Sequence, residues 1–429
     1  MTTLVFPLSR IEGHAQVSIE TSGGEVQSAH FSAMELRGFE YLVKGVPAEQ
    51  MPVIVPRICG VCATAHHVAA VKTLEDVYNV KVPPIAQMVR ELLLLGQLIQ
   101  NQATSLFIFT MPDRLGTTSI FSEDAEARAA EQELAGLASH ALQVRKAGTD
   151  LITLAGGQFI HPVKAVVGGV SSGIKPEAAE PMRLALEKAL PIACDLFDAY
   201  WATSLALRER IGTWGDDEPS YYISSTGEAF PRFNANIIYV MSPDGVVHDT
   251  FTANQFRDHL TYQQTEYSYS GQTSYRGEIL RANSLARINM TQVMGTHRAN
   301  DYLANFQNTF GKPAHGILLF DLCRGIELVY AIERAIEILD HPLDALDTAS
   351  DHTVQDGDGY GMVEAPRGPL IHHYVVERGK IASAEFIIPT VHNMLAIERA
   401  LKVAARRYIN SERVNLELER AVGRVVRAF

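Results

Sequence analysis

The sequence of 429 residues predicts an α+β, mainly α fold, a bundle of long helices with a small N-terminal β region. Three observations predict it. The first fifty residues read as extended chain around a Gly-Gly turn, apolar residues recur at helical spacing after Pro83-Pro84, and no internal repeat or low-complexity linker divides the chain.

Residues 16–20 and 26–35 are extended stretches on either side of Gly23-Gly24, a hairpin-like turn. This puts Glu12 and Glu40 at the ends of strands or turns, where they can aim inward. After Pro83-Pro84, Ile85, Met88, Leu92, Leu95 and Ile99 form one apolar stripe, and proline suits a first helical position. Ser122 followed by Glu123 and Asp124 predicts the start of another long helix running to about residue 154. Further helices are expected after Pro176, over about 326–339, over about 391–408 and around 416–429. The stretches 267–278 and 350–361, rich in Gly, Ser, Asp and Tyr, read as loops. The expectation is one domain over 1–429, β-rich over 1–50 and mainly helical over 83–429, with its chemistry on loops and helix ends above the bundle.

Composition narrows the function classes. A net charge of -12 with no basic cluster argues against nucleic-acid binding, and Arg406-Arg407 reads as the cationic end of a helix. No unbroken apolar run of about 18 residues predicts a membrane span. The start Met1-Thr2-Thr3-Leu4 has no signal-peptide core, and 4 cysteines make no disulfide framework, so a cytoplasmic protein is expected.

The most informative stretch is Arg57-Ile58-Cys59-Gly60-Val61-Cys62-Ala63-Thr64-Ala65-His66. Two thiolates at this spacing can grip one soft metal ion, and the glycine between them lets the backbone fold tightly around it. Arg57 and His66 would add charge and hydrogen bonds around such a site. A redox dithiol, a structural zinc and an inert buried pair are the alternatives. The first wants a strand before the motif and a helix opening at the first cysteine, which Pro56 disfavours. A structural zinc needs a second pair, and Cys194 and Cys323 stand alone.

This block resembles the motif RxCGxCxxxH of nickel-iron hydrogenase large subunits, and other blocks agree with that family in order and spacing. Arg10-Ile11-Glu12-Gly13-His14 is similar to its RxEGH element and Arg37-Gly38-Phe39-Glu40 to its RG(F/L)E element. Glu364-Ala365-Pro366-Arg367-Gly368, leading into Ile371-His372-His373-Tyr374, resembles EAPRG and an HHY segment, and Ile388-Pro389-Thr390 resembles VPT. Weaker echoes are His161-Pro162 with Gly168-Gly169-Val170, and Leu285-Ala286-Arg287-Ile288-Asn289. The His372-His373-Tyr374 ending is closer to the bidirectional cytosolic members than to membrane-bound uptake enzymes. The family's C-terminal DPCxxCxxH motif does not occur here. The last residues, Arg424-Val425-Val426-Arg427-Ala428-Phe429, resemble the stretch that directly precedes it, so a missing tail is expected rather than an evolved loss.

The resemblance implies reversible heterolytic cleavage of dihydrogen at a nickel-iron centre whose iron carries carbonyl and cyanide. Cys59 would be a terminal nickel thiolate and Cys62 a thiolate bridging to the iron. Arg367 would lie over the open face of the metals, held by Asp113, and Thr390 after Pro389 would donate to a cyanide. His66 would orient the bridging thiolate. Glu12 would relay the proton, through a carboxyl whose pKa is raised by burial. Glu40 and the carbonyl of Phe386 would serve a magnesium site, a hard cation that prefers oxygen. An iron-sulfur small subunit, further electron-transfer subunits and maturation proteins are the implied partners. The other reading is a metal-free structural or electron-transfer subunit of the same fold, or a truncated apo form. Joint retention of Cys59, Cys62, Glu12 and Arg367 favours the catalytic reading, because a metal-free scaffold has no physical need of them.

Overall fold

The computed structural model describes residues 2–35, 38–121, 136–207, 218–227, 229–230, 236–345, 347–409 and 414–429. The N-terminal part is an antiparallel sheet of β1 (Thr2–Pro7), β2 (Ala15–Ser22) and β3 (Glu25–Ala33), as its alternating pattern requires. Leu4 lies opposite Ile19 and Val17 opposite Phe31, so this face is buried while the alternate residues look outward. Two short helices, Phe39–Leu42 and Met51–Ile54, then bring the chain to the cysteine motif.

Helix α1 (Ala63–Tyr78) starts directly after Cys62, and α2 (Pro84–Ala103) follows the proline pair as expected. The α2 stripe understates the helix's burial, because every residue from 89 to 103 is buried. By length and hydropathy Pro84–Leu115 could cross a membrane, although Gln, Asn and charged residues interrupt it, and 83% of its most apolar window is buried inside the fold. It is a core helix. Against it packs α3 (Leu137–Gly156), and α4 (Pro176–Ala206), separated from α3 by the short hairpin β4 (Ala165–Val166) and β5 (Gly169–Val170), packs in turn on α3. The helix start expected at Ser122 lies outside the described residues; the helix reaches Gly156, close to its expected end.

Residues 221–281 and 357–387 hold most of the β structure that the sequence did not predict. Strands β6 (Tyr221–Ser224), β7 (Ile237–Met241), β8 (Val247–Thr252), β9 (Thr261–Gln263), β10 (Gln272–Tyr275) and β11 (Glu278–Arg281) form a six-stranded sheet in the order β8-β7-β6-β11-β10-β9. Helices α5 (Ser284–Met290), α6 (His297–Phe310) and α7 (Phe320–Leu339) follow. A third sheet, β12 (Gly357–Ala365), β13 (Gly368–Glu377) and β14 (Lys380–Ile387), precedes α8 (Thr390–Tyr408) and α9 (Leu416–Ala428). The helices expected after Pro176 and over 326–339, 391–408 and 416–429 are all present. The stretches read as loops, 267–278 and 350–361, instead contain β10 and the start of β12.

The glycines of β12 explain that miss. They are there for close packing of α1 on the strand, not for a turn. A Cβ added to Gly361 would lie 2.4 Å from Thr73 N and 2.5 Å from Ala69 O. Substituting Gly361→Ala should therefore push α1 off the sheet and destabilise the chain by about 1–3 kcal/mol. Urea denaturation checks this, and an unchanged midpoint would contradict the packing described.

Candidate active site

Helix α1 carries the cysteine motif. Cys62 is its first capping residue, where the helix's unpaired N–H groups favour negative charge on sulfur. The two sulfurs are joined as a disulfide, and Cys62 N–H donates to Cys59 Sγ at 3.2 Å. Reduction converts the same pair into the dithiolate that a soft metal requires. Both cysteines line a cavity of about 260 Å³, together with Glu12, His66, Arg367, Pro389, Thr390, Arg427 and Phe429. Residues from the first and last quarters of the chain thus meet in one place.

Arg367 enters from the turn between β12 and β13, where Ala365 pairs with Gly368 and leaves Pro366-Arg367 as a two-residue hairpin. Gly368 has φ 132, a conformation that favours glycine. The guanidinium is held at its two ends, donating to Asn101 Oδ1 at 3.2 Å and to Ser105 Oγ at 3.5 Å. Burial, aided by nearby Arg324 and Arg287 and opposed by Glu12, pulls its pKa down to about 10, so it remains a cation at neutral pH. Asn101 and Ser105 sit where α2 widens into the π-helical turn Thr104–Thr110, a distortion often found at functional sites.

The expectation that Asp113 holds Arg367 needs correction. Asp113 accepts from Arg10 at 2.7 Å and from Arg427 at 2.7 and 2.9 Å, which ties the N-terminal segment to α9. The side chains that hold Arg367 are Asn101 and Ser105; neutral amide and hydroxyl groups suffice there because Arg367 already feels Glu12. Glu12 lines the cavity, and a Cβ on Gly60 would lie 3.6 Å from its Oε1. It is exposed in this chain, so the burial invoked for a proton relay is not supplied by these residues alone. Arg57 is also exposed, donates to the Val53 carbonyl and is not among the residues that line the cavity.

His66 is 1% exposed, and its Nδ1 meets His372 Nε2 at 3.0 Å. Burial pushes its pKa down to about 3 and that of His372 well below the ordinary value, so both rings are neutral. Pro389 and Thr390 begin α8, where Asn393 Nδ2 donates to the carbonyls of Pro389 and Arg367, each at 3.4 Å. The end of α9 is fixed at the cavity: Asn283 donates to Phe429 O at 2.6 Å and Arg324 to Ala428 O at 2.7 Å. Glu40 and Phe386 line a second depression that shares Glu12, Ile58, Cys59 and Ile388 with the first.

Under this arrangement lies Arg287. It donates to Glu327 at 2.6 and 2.9 Å, to Glu364 at 2.8 Å, and to the carbonyls of Ala365 and Pro366 at 3.2 and 2.8 Å. Burial works against its charge, but Glu327 and Glu364 more than offset this and raise its pKa.

A family model described as nickel-dependent hydrogenase matches residues 37–141 and 235–405, and one described as HoxL-like matches 3–36. The chain belongs to the nickel-dependent hydrogenases. It is 31% identical, over 94% of its length and 98% of the relative's, to a subunit of the F420-non-reducing hydrogenase vhu of Methanocaldococcus jannaschii. To the NAD-reducing hydrogenase HoxS subunit beta of Cupriavidus necator it is 27% identical, over 95% of this chain and 88% of the other. A crystal structure of an NAD+-reducing [NiFe]-hydrogenase in the H2-reduced state superposes with a TM-score of 0.90 at 26% identity, covering 100% of this chain and 97% of that one.

In this hydrogenase chain the donor set offers a soft metal ion such as nickel a pair of thiolates. The Cys59 and Cys62 sulfurs are adjacent on the cavity, and among the described residues no group of three or more His, Cys, Asp or Glu is placed to hold a metal ion. Cys59, Cys62, Glu12, His66, Arg367, Pro389 and Thr390, all named from the sequence, line this one cavity. The sequence did not point to Asn101, Ser105, Asn393 or Arg427. The run of Gln and Asn in the buried part of α2 was the available signal for the first.

Two outcomes follow. Arg287→Leu leaves Glu327 and Glu364 buried without their cation and should cost about 3–5 kcal/mol, read by urea denaturation; a loss below about 1 kcal/mol would remove Arg287 from its supporting role. Burial lowers the pKa of His67 and His392 from 6.5 to about 4 each. Between these values the unfolded chain binds protons that the folded chain does not. Stability is therefore full above about pH 6.5 and falls with acidification by roughly 1.4 kcal/mol per pH unit per histidine. A urea midpoint that is flat from pH 7 to pH 5 would contradict it.

Proposed function

We propose that this cavity is the site at which the protein splits and forms dihydrogen, as the large subunit of a nickel-iron hydrogenase. The observation that carries the reading is the convergence of Glu12, Cys59, Cys62, Arg367 and Thr390 on one cavity. When bound, the nickel-iron group, its iron carrying carbonyl and cyanide, supplies the soft Lewis-acidic centre for heterolytic cleavage. The rest belongs to the chain. Reduced Cys59 and Cys62 hold the metal from the start of α1. Arg367, kept in one orientation by Asn101 and Ser105, sets a fixed fork of donors over the cavity, which a lysine could not reproduce. Thr390 offers a hydroxyl at the start of α8, and the apolar walls of Phe31, Ile397 and Val426 limit water.

Glu12 takes the proton away from the metal side. Its exposure in the isolated chain supports a partner seated over it, and an iron-sulfur small subunit that removes the electrons is the partner we assign. Further electron-transfer subunits and maturation proteins complete the assembly. Glu40 and the carbonyl of Phe386, on the neighbouring depression, are assigned to a magnesium ion. We place the protein in the cytoplasm as one domain over 1–429.

The test is hydrogen-dependent dye reduction by the assembled complex, with nickel and iron measured per chain. Cys59→Ser and Cys62→Ser should each lose nickel and activity. Arg367→Lys should keep the metals and lose about 10²-fold in rate, the usual effect of removing a preorganised donor. A lysine variant as fast as the parent would overturn the role given to Arg367.

A further inference from the structure

A buried chain of hydrogen bonds runs from the cavity into the apolar interior. His66 Nδ1 lies 3.0 Å from His372 Nε2, and His372 Nδ1 lies 2.7 Å from the Tyr374 hydroxyl. His372 and Tyr374 are both fully buried. At Tyr374 the chain of bonds stops. Its ring belongs to an apolar cluster with Val43, Met51, Val55 and Leu74, and His372 is the only hydrogen-bond partner of its hydroxyl among the described residues.

That dead end sets a direction. A neutral imidazole carries one N–H and one acceptor nitrogen, and each link needs one of each. The tyrosine has one proton and one partner, so it donates to His372 Nδ1. The opposite arrangement would bury an unbonded O–H and is disfavoured roughly tenfold or more. With Nδ1 accepting, His372 carries its proton on Nε2 and donates to His66 Nδ1. His66 then carries its own proton on Nε2, the ring atom left for the cavity that it lines.

The adjacent histidine obeys the same logic with the opposite result. The amide of Ala165 can only donate, and it reaches His67 Nε2 at 3.2 Å, so the His67 proton lies on Nδ1 and goes to Pro52 O at 2.7 Å. Two successive residues of α1 thus hold opposite tautomers, each set by its partners.

We propose that Tyr374 and His372 are positioning residues that lock His66 in its Nε2–H form, so that it presents a fixed donor to the cavity it shares with Cys59 and Cys62. A donor stabilises negative charge on a nearby sulfur or bound ligand, and an acceptor would repel it. That consequence rests on the proposed function. The tautomer itself does not.

The test uses the full chain, reduced and metal-free, with its histidine rings labelled with the heavy nitrogen isotope and read by long-range proton–nitrogen correlation. The signals are assigned by their loss in His66→Gln, His67→Gln and His372→Gln. The unaltered chain should show His66 and His372 almost wholly as Nε2–H, with His67 as Nδ1–H. Tyr374→Phe keeps the ring and removes the donor; the Nδ1–H form of His66 should rise about fivefold, toward an even mixture. His66 found as Nδ1–H in the unaltered chain overturns the proposal, as does a folded Tyr374→Phe chain with His66 unchanged. Should that variant fail to fold, the unaltered chain alone decides. No metal or hydrogen turnover enters the measurement, so failure here and failure of the hydrogenase reading are separate results.

Discussion

Arg287 is the point on which the site's geometry depends. Its guanidinium, fully buried, joins α5, α7 and the end of β12 through Glu327, Glu364 and the carbonyls of Ala365 and Pro366. Glu327 also accepts from Gln102 and Ser284, each at 2.6 Å, and Glu364 from the amide and hydroxyl of Ser225 at 2.9 and 2.7 Å. Burying three charges yields little net stability, since desolvation offsets most of their attraction. What the network supplies is position. Every acceptor is directional, and the hairpin that carries Arg367 is fixed by two of them.

This gives the EAPRG block a division of labour. Glu364 and the backbone of Ala365 and Pro366 are anchors, Arg367 is presented by them, and Gly368 permits the hairpin beside Ala282. A second anchor works from the other side. Asp113 draws Arg10 and Arg427 together, and Arg10 also donates to the Phe109 carbonyl in the widened turn after α2. The segment bearing Glu12, the end of α9 and the turn bearing Ser105 are thereby fastened around one carboxylate. Both anchors bury charge close to the cavity, which leaves its walls stiff and its polar groups few.

The long helices were legible because each must bury a stripe or a whole circumference of apolar side chains, and that demand shows directly as spacing. The central sheet was not. Its strands are short, three to six residues, and β9 and β10 are polar, so alternation has little length in which to register. Strand β12 hid for another reason, since the glycines that let α1 lie against it look in sequence like a loop. Among site residues, Asp113 was found but given the wrong partner. A carboxylate's presence can be read from a motif, whereas its choice among several arginines is a matter of distance.

By itself the sequence determined the chemistry on offer: two cysteines with a sequence separation of 3, a glutamate and an arginine each locked in a recognisable block, and helices long enough to hold them. Those are properties of neighbours along the chain, set by local sterics and periodicity. Only the tertiary structure decided that Asn101 and Ser105 hold Arg367, that Arg287 supports its turn, that Glu12 stands exposed, and that His372 and Tyr374 back His66. Apart from the His372–Tyr374 link along β13, these hydrogen bonds join residues 79 to 306 positions apart; they depend on the angles at which packed elements cross, and no local pattern encodes those angles.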